Sequence, residues 1–179
     1  MGGRLLSLSA DQTRLMGEEI GKRLRPGDVV ALTGTLGAGK TCLAQGIARG
    51  LGISEREVVS PTYTLIHELQ GPVRLFHIDL YRIEDADDLE DIGFYESFDE
   101  ASVTLIEWAD RFPGALPDAH LQIDLARYGD SDDAREARLL PRGRHYEELA
   151  GVLETIIPSC LASGGAHGPR ADGGGMSDA

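Results

Sequence analysis

Gly34-Thr35-Leu36-Gly37-Ala38-Gly39-Lys40-Thr41 has the spacing G-x-x-x-x-G-K-[ST] and follows an apolar run, Val29 to Leu32, in the manner of a strand feeding a turn. These residue types suit a polyphosphate. Glycines let successive backbone N–H groups converge on phosphate oxygens, a lysine reaches the terminal phosphates, and a threonine hydroxyl is a hard ligand for Mg²⁺. The helix that opens inside the motif adds its positive end. Gly37, Ala38, Gly39, Lys40 and Thr41 are therefore candidate nucleotide-binding residues, with Thr41 also a candidate metal ligand. The chain has two lysines, Lys22 and Lys40, against fifteen arginines, and one of the two stands where phosphate binding needs a lysine. A dinucleotide fingerprint fails locally, because Cys42 occupies the place of its third glycine.

Two later stretches end in acids. Leu75-Phe76-His77-Ile78-Asp79 and Val103-Thr104-Leu105-Ile106-Glu107 are apolar runs closed by a carboxylate, the form of a strand-end acid that orders Mg²⁺ or a water beside a triphosphate. Either acid alone could simply face solvent. Together with a phosphate loop they favour a functional reading. Between the loop and these strands, Ser60-Pro61-Thr62-Tyr63-Thr64 places Thr62 where a switch threonine would reach metal and γ-phosphate; a strand-surface residue is the equal alternative. His67, His77 and His120 show no ligand spacing and read as structural.

The elements that must position these groups follow from periodicity. Leu5, Leu6 and Leu8 suit a short strand, and Ser9 with Gln12 is a capping-box signal. Leu15, Met16, Ile20 and Leu24 then recur at helical spacing until Arg25-Pro26-Gly27. Asp28 to Thr33 reads as a buried strand and Thr41 to Leu51 as the helix after the loop. Leu65 to Ile78, with Gly71-Pro72 between its apolar runs, reads as a hairpin, and Leu121 to Leu140 as another. Tyr146, Leu149, Val152, Leu153 and Ile156 predict a closing helix. Glu84 to Asp91, six acids in eight residues, suits a solvated helix face or else a docking surface for a basic partner. The cluster Arg135, Arg138, Arg142 and Arg144 suits solvated strand and turn positions, with one phosphate-sensing arginine as the alternative. From Pro158 the composition turns to Gly, Ala and Ser, with six glycines in the last sixteen residues. This divides the chain into a domain at 1–157 and a tail at 158–179 expected to be disordered.

A length of 179 residues suits one domain, and 41% apolar with 26% charged residues is ordinary for a soluble chain. The net charge of −13 opposes strong direct binding of nucleic acid. Cys42 and Cys160 form neither a metal spacing nor a disulfide framework, which fits a reducing, cytoplasmic setting. Cys42 reads as a small buried hydrophobe. No window suggests a membrane span or a leader.

Several separated motifs agree with one family. Leu36-Gly37-Ala38-Gly39-Lys40-Thr41, Ser60-Pro61-Thr62-Tyr63, His77-Ile78-Asp79-Leu80-Tyr81-Arg82 and Ile106-Glu107-Trp108 resemble, in order, those of the bacterial TsaE (YjeE) family of P-loop ATPases, which support threonylcarbamoyladenosine (t6A) synthesis on tRNA. The resemblance implies ATP and Mg²⁺ as cofactors, with Lys40 and Thr41 at phosphate and metal. It makes Thr62 part of a switch-like loop, Asp79 a catalytic or water-ordering acid, Glu107 a metal-linked acid with a catalytic part, and Trp108 a neighbour of the nucleotide. It also implies weak ATPase activity alone, TsaB-type and TsaD-type partners, and contact with tRNA through them. One departure stands out: Thr35 occupies a position where the family commonly carries an acid.

The reading is thus a three-layer α/β P-loop NTPase fold with a mixed central sheet. The rivals are a P-loop small-molecule kinase, which would draw on Arg135 to Arg144 for a lid, and a nucleotide-dependent scaffold without turnover. GTP is disfavoured because a guanine-reading N-K-x-D motif needs asparagine, and the chain has none.

Overall fold

The computed structural model describes residues 3–54, 56–58 and 65–164. Its frame is a seven-stranded sheet assembled from β1 (Arg4–Ser7), β2 (Val29–Thr33), β3 (Ile66–Leu69), β4 (Arg74–Asp79), β5 (Ser102–Glu107), β6 (His120–Arg127) and β7 (Arg135–Arg142), in the order β1-β7-β6-β2-β5-β4-β3. The strands β4, β5, β2 and β6 run parallel, while the two hairpins β3–β4 and β6–β7 and the pairing of β1 with β7 are antiparallel. Both expected hairpins are present, and the sheet is mixed as the sequence suggests.

Parallel strands packed on both faces are apolar along their length, and β2 is buried at every residue. Successive side chains alternate between two cores. Val30 and Leu32 of β2, with Val103 and Leu105 of β5 and Leu75 of β4, face the larger core. It is roofed by the helices α1 (Ala10–Gly21), α2 (Lys40–Gly50) and α4 (Arg144–Gly164). Val29, Ala31, Ile78 and Ile106 face the smaller one. The third layer, on that smaller core, is thin. The segments 80–98 and 108–116, on either side of β5, cover the face with the single-turn α3 (Asp88–Asp91) and 3₁₀ turns, and Leu80, Ile83, Leu89, Phe94 and Ala109 are among the side chains they bury. The acidic run is accordingly a loop that ends in one turn, not a long helix face.

The helix α1 starts as its capping signal predicts: Gln12 N donates to Ser9 Oγ at 3.2 Å, and the Gln12 side chain accepts from Leu8 N at 2.7 Å. Its contact with α2 is main chain on main chain. A Cβ on Gly17, Gly21, Gly46 or Gly50 would lie 2.3, 2.2, 2.1 or 2.3 Å from a carbonyl oxygen of the facing helix, so only glycine allows this approach. At its N-terminal end α4 is tied to the start of β2: Val29 N donates to the Tyr146 hydroxyl at 2.8 Å, and His145 Nε2 lies 2.8 Å from Asp28 Oδ1.

That helix departs from the expected boundary. It continues through Pro158 to Gly164, because Ile157 and Leu161, on either side of the proline, are buried against β1 and its neighbours. Packing of an amphipathic face outweighs the one backbone bond a proline removes. The division at residue 158 therefore falls inside a helix, and the residues after 164 lie outside the described ones.

Candidate functional site

The period-two alternation that builds the larger core also carries the acids to it. Leu75, His77 and Asp79 share one face of β4, and Val103, Leu105 and Glu107 share the same face of β5. Asp79 and Glu107 are register partners at the ends of adjacent parallel strands. That face looks toward the first turn of α2, so Thr41 Oγ1 donates to Glu107 Oε2 at 3.0 Å. The other carboxylate oxygen, Oε1, lies 2.9 Å from His77 Nε2. With the carboxylate oxygen as acceptor, Nε2 is the donor, and among the described residues the ring's buried Nδ1 has no hydrogen-bond partner. Asp79 Oδ1 accepts from Tyr81 N at 2.9 Å, which fixes the turn after β4.

The loop between β2 and α2 has the backbone its glycines permit. Gly34 has φ +131°, and a Cβ there would lie 2.2 Å from the Leu125 carbonyl oxygen; Gly39, the N-cap of α2, has φ +104°. Lys40 is buried and folds back over this loop. Its ammonium donates to the carbonyls of Gly34 at 2.7 Å and Thr35 at 3.1 Å. It also sits 3.5 Å from the centroid of the Trp108 ring. Burial pushes the Lys40 pKa below the ordinary lysine range, and the charges of Glu107, Asp110 and Asp79 oppose that shift.

Trp108 itself has φ 60° and is the one positive-φ residue other than glycine among the described residues. For so bulky a side chain this conformation costs about 1–3 kcal/mol. The turn it makes after β5 lays the indole against Lys40 on one side and Tyr81 on another, with ring centroids 4.8 Å apart.

One cavity of about 460 Å³ gathers Leu36, Gly37, Ala38, Gly39, Lys40, Thr41, Cys42, Asp79, Tyr81, Glu107 and Trp108. All the site residues expected from the sequence meet here except Thr62, which lies outside the described residues with the rest of 59–64. A larger cleft of about 630 Å³ between β7 and α4, lined by Leu140, Arg142, Glu147 and Glu154 among others, has no phosphate loop. The oxygen donors of Thr41, Glu107 and Asp79 suit Mg²⁺, which takes one or two protein carboxylates and completes its shell with phosphate and water.

Three readings change. His77, expected to be merely structural, touches Glu107; the clue was its place two residues before Asp79, hence on the same face of the strand. Arg135, expected to face solvent, donates from Nη2 to the Gly37 carbonyl at 3.3 Å, while Arg138 and Arg144 do pair with nearby acids at the surface. Cys42 is half-buried in the cavity wall, with Sγ 3.2 Å from the Ala10 carbonyl oxygen.

Comparison with known proteins gives one result. A family model described as "Threonylcarbamoyl adenosine biosynthesis protein TsaE" matches residues 7–137. The tRNA threonylcarbamoyladenosine biosynthesis protein TsaE of Bacillus subtilis (strain 168) is 42% identical over 148 residues, covering 82% of this chain and 90% of that one. The protein of the same name from Treponema pallidum (strain Nichols) is 41% identical over 129 residues, 72% of this chain and 95% of its own. The crystal structure of Bacillus subtilis YdiB superposes with a TM-score of 0.71 at 34% identity, covering 87% of this chain and 97% of that one.

Proposed function

The chain belongs to the TsaE family, whose members are named for tRNA threonylcarbamoyladenosine biosynthesis, and from that premise we propose that it binds MgATP and hydrolyses it slowly, in step with TsaB-type and TsaD-type partners that hold the tRNA. The observation that carries this reading is the convergence of Thr41 and Glu107, 3.0 Å apart, at the mouth of a phosphate loop.

In this reading the loop N–H groups and Lys40 bind the phosphates, with Lys40 moving from the Gly34 and Thr35 carbonyls to phosphate oxygens. Thr41 and Glu107 hold Mg²⁺, which when bound neutralises charge on the phosphates. Asp79, oriented by the bond from Tyr81 N, orders the attacking water. Before nucleotide binds, Trp108 covers the Lys40 ammonium, 3.5 Å from its ring centroid. The kinase alternative lacks support, since Arg138 and Arg142 lie in β7 and Arg144 opens α4 instead of forming a lid. Among the described residues no helix is long and apolar enough to cross a membrane.

The test is calorimetric titration with MgATP, combined with ADP release measured alone and with TsaB-type and TsaD-type proteins. Lys40→Ala should abolish binding in a folded protein. Release that is slow alone and faster with the partners supports the full reading. Unchanged affinity in Lys40→Ala would remove the loop from the site, and phosphoryl transfer to a metabolite would replace hydrolysis by a kinase activity.

A further inference from the structure

At the end of the sheet away from the phosphate loop, polar side chains with no part in nucleotide binding share a small cavity. β6 runs parallel to β2, with Leu121 beside Val30 and Asp124 beside Thr33, so His120 lies at the opposite end of the strands from Gly34. His120 and Arg142 are register partners in β6 and β7, which sets their side chains next to each other on one face. Gln122, two residues on, shares that face. Leu121, Ile123 and Leu139 take the other face, into the larger core. Beside His120, where the thin covering layer ends, Pro113, Leu116 and Pro117 wall a cavity of about 260 Å³ whose polar lining is Asp118, His120, Gln122 and Arg142.

Each of these four groups has bonding capacity to spare. His120 Nδ1 lies 2.7 Å from the Pro117 carbonyl oxygen; a carbonyl only accepts, so Nδ1 donates and the Nε2 of the neutral ring is an acceptor. His120 is 4% exposed, and among the described residues its buried Nε2 has no partner, a state that native structures seldom leave without a cause. Asp118 and Arg142 are exposed. Among the described residues neither makes an ion pair, with the other or with a third group, and the Gln122 side chain makes no hydrogen bond. Arg142 also borders the cleft by α4, but it makes no ion pair with Glu147 there.

A cation and an anion that line one cavity without reaching each other are complementary to a molecule carrying both charges. A guanidinium takes a carboxylate through two parallel N–H bonds. A carboxylate and a ring nitrogen that accepts suit an ammonium, which has three protons to donate and no acceptor. We infer that this cavity binds a small α-amino acid, with its carboxylate on Arg142, its ammonium on Asp118 and His120 Nε2, and a short side chain against Pro113 and Leu116. The Gln122 amide can donate to the one charge or accept from the other. This site is separate from the phosphate loop and does not depend on what the loop binds.

The probes are L-alanine, L-serine, propionate, which is alanine without its ammonium, and ethylamine, which is alanine without its carboxylate. Calorimetry and saturation-transfer NMR on the full chain should give the two amino acids a Kd of about 1 mM or below. Propionate and ethylamine should each bind about tenfold more weakly or worse. Arg142→Met, which keeps an apolar stem, and Asp118→Asn should each weaken L-alanine about tenfold while leaving MgATP affinity as in the parent. Both change exposed side chains, and thermal unfolding checks that the fold is kept. Arg142→Met should also narrow the gap between alanine and ethylamine, and Asp118→Asn the gap between alanine and propionate. Propionate that binds as well as alanine would leave an anion site on Arg142 alone, and alanine binding unaltered in both variants would put the amino acid elsewhere. Either result overturns the assignment, as does an absence of amino-acid binding well above that Kd.

Discussion

His77 Nε2 lies 2.9 Å from Glu107 Oε1 while Thr41 holds the other oxygen, so one buried carboxylate is fixed at both ends. A metal-binding carboxylate whose orientation depends on a neighbour typically loses 10- to 100-fold when the neighbour goes. His77→Ala should therefore slow ATP hydrolysis by about that factor and weaken MgATP binding more than binding of ATP with the metal chelated. His77→Gln, which can still donate to Oε1, should recover most of both. Equal losses with and without metal would indicate a damaged core.

Asp79→Ala and Glu107→Ala should keep ATP affinity within about tenfold of the parent, because the loop amides and Lys40 remain, yet lose turnover by about 10²-fold or more. The two should differ in one respect. Glu107→Ala should lose the Mg²⁺ dependence of binding, whereas Asp79→Ala should retain it. Single-turnover ADP formation and calorimetry at several metal concentrations decide the assignment.

Trp108 is the only tryptophan of the chain, and its ring centroid is 3.5 Å from the Lys40 ammonium. A phosphate that draws Lys40 away from the indole changes the charge next to the ring. MgATP should give a saturable emission change, smaller with the metal chelated. Lys40→Ala should shift the spectrum before nucleotide is added and remove the response. An unresponsive spectrum under conditions where calorimetry saturates would mean that Lys40 stays on the indole.

Gly46→Ala places a methyl group 2.1 Å from the Arg14 carbonyl oxygen. Overpacking of this kind costs about 1–3 kcal/mol, and at about 2–4 °C per kcal/mol the melting temperature should fall by roughly 2–12 °C. Gly151→Ala is the control, since a Cβ there meets nothing within 4 Å and the helix gains about 0.5–1 kcal/mol. Thermal unfolding followed by circular dichroism should move in opposite directions for the two.

The Tyr146 phenol is pushed up to about 12, chiefly by burial, with the nearby charge of Asp28 adding to the shift and the bond from Val29 N opposing it. The unfolded chain releases this proton near the ordinary value of about 10, so the contribution is fully present below pH 10 and is lost as pH rises through the folded value. Denaturant midpoints should fall between pH 10 and 12. Tyr146→Phe should flatten this fall while lowering stability near neutrality by about 1–3 kcal/mol, because Val29 N is left without its acceptor. An identical alkaline slope in parent and variant would assign the loss to other groups.

Much of the frame was legible in the sequence because strand and helix periods were undisturbed where the core is built. The run Val29 to Leu32, the acids at 79 and 107, and the hairpin punctuation at Gly71-Pro72 each declared an element and its end. What escaped depended on contacts distant in sequence. His77 became meaningful only when β4 and β5 were in register, and Arg135 only when the β6–β7 hairpin folded over a loop about a hundred residues earlier in the chain. Pro158 misled for the opposite reason. A strong local stop signal was overridden by burial of Ile157 and Leu161, which no local rule includes.

The pairing of β1 with β7 sets the order in which a ribosome can finish this domain. The strand at Arg4–Ser7 has Arg135–Arg142 as its partner in the sheet, so at synthesis rates of 5–20 residues per second the first strand to emerge waits roughly ten seconds for the last. During that interval α1 and α2 can already be together, since Gly17 and Gly46 both lie within the first fifty residues, while β1 and the outer edge of β6 stay open. A nascent chain stalled before β7 thus exposes strand edges beside a complete phosphate-loop sequence, and the translating chain's vulnerability to chaperone capture or misassembly is concentrated there.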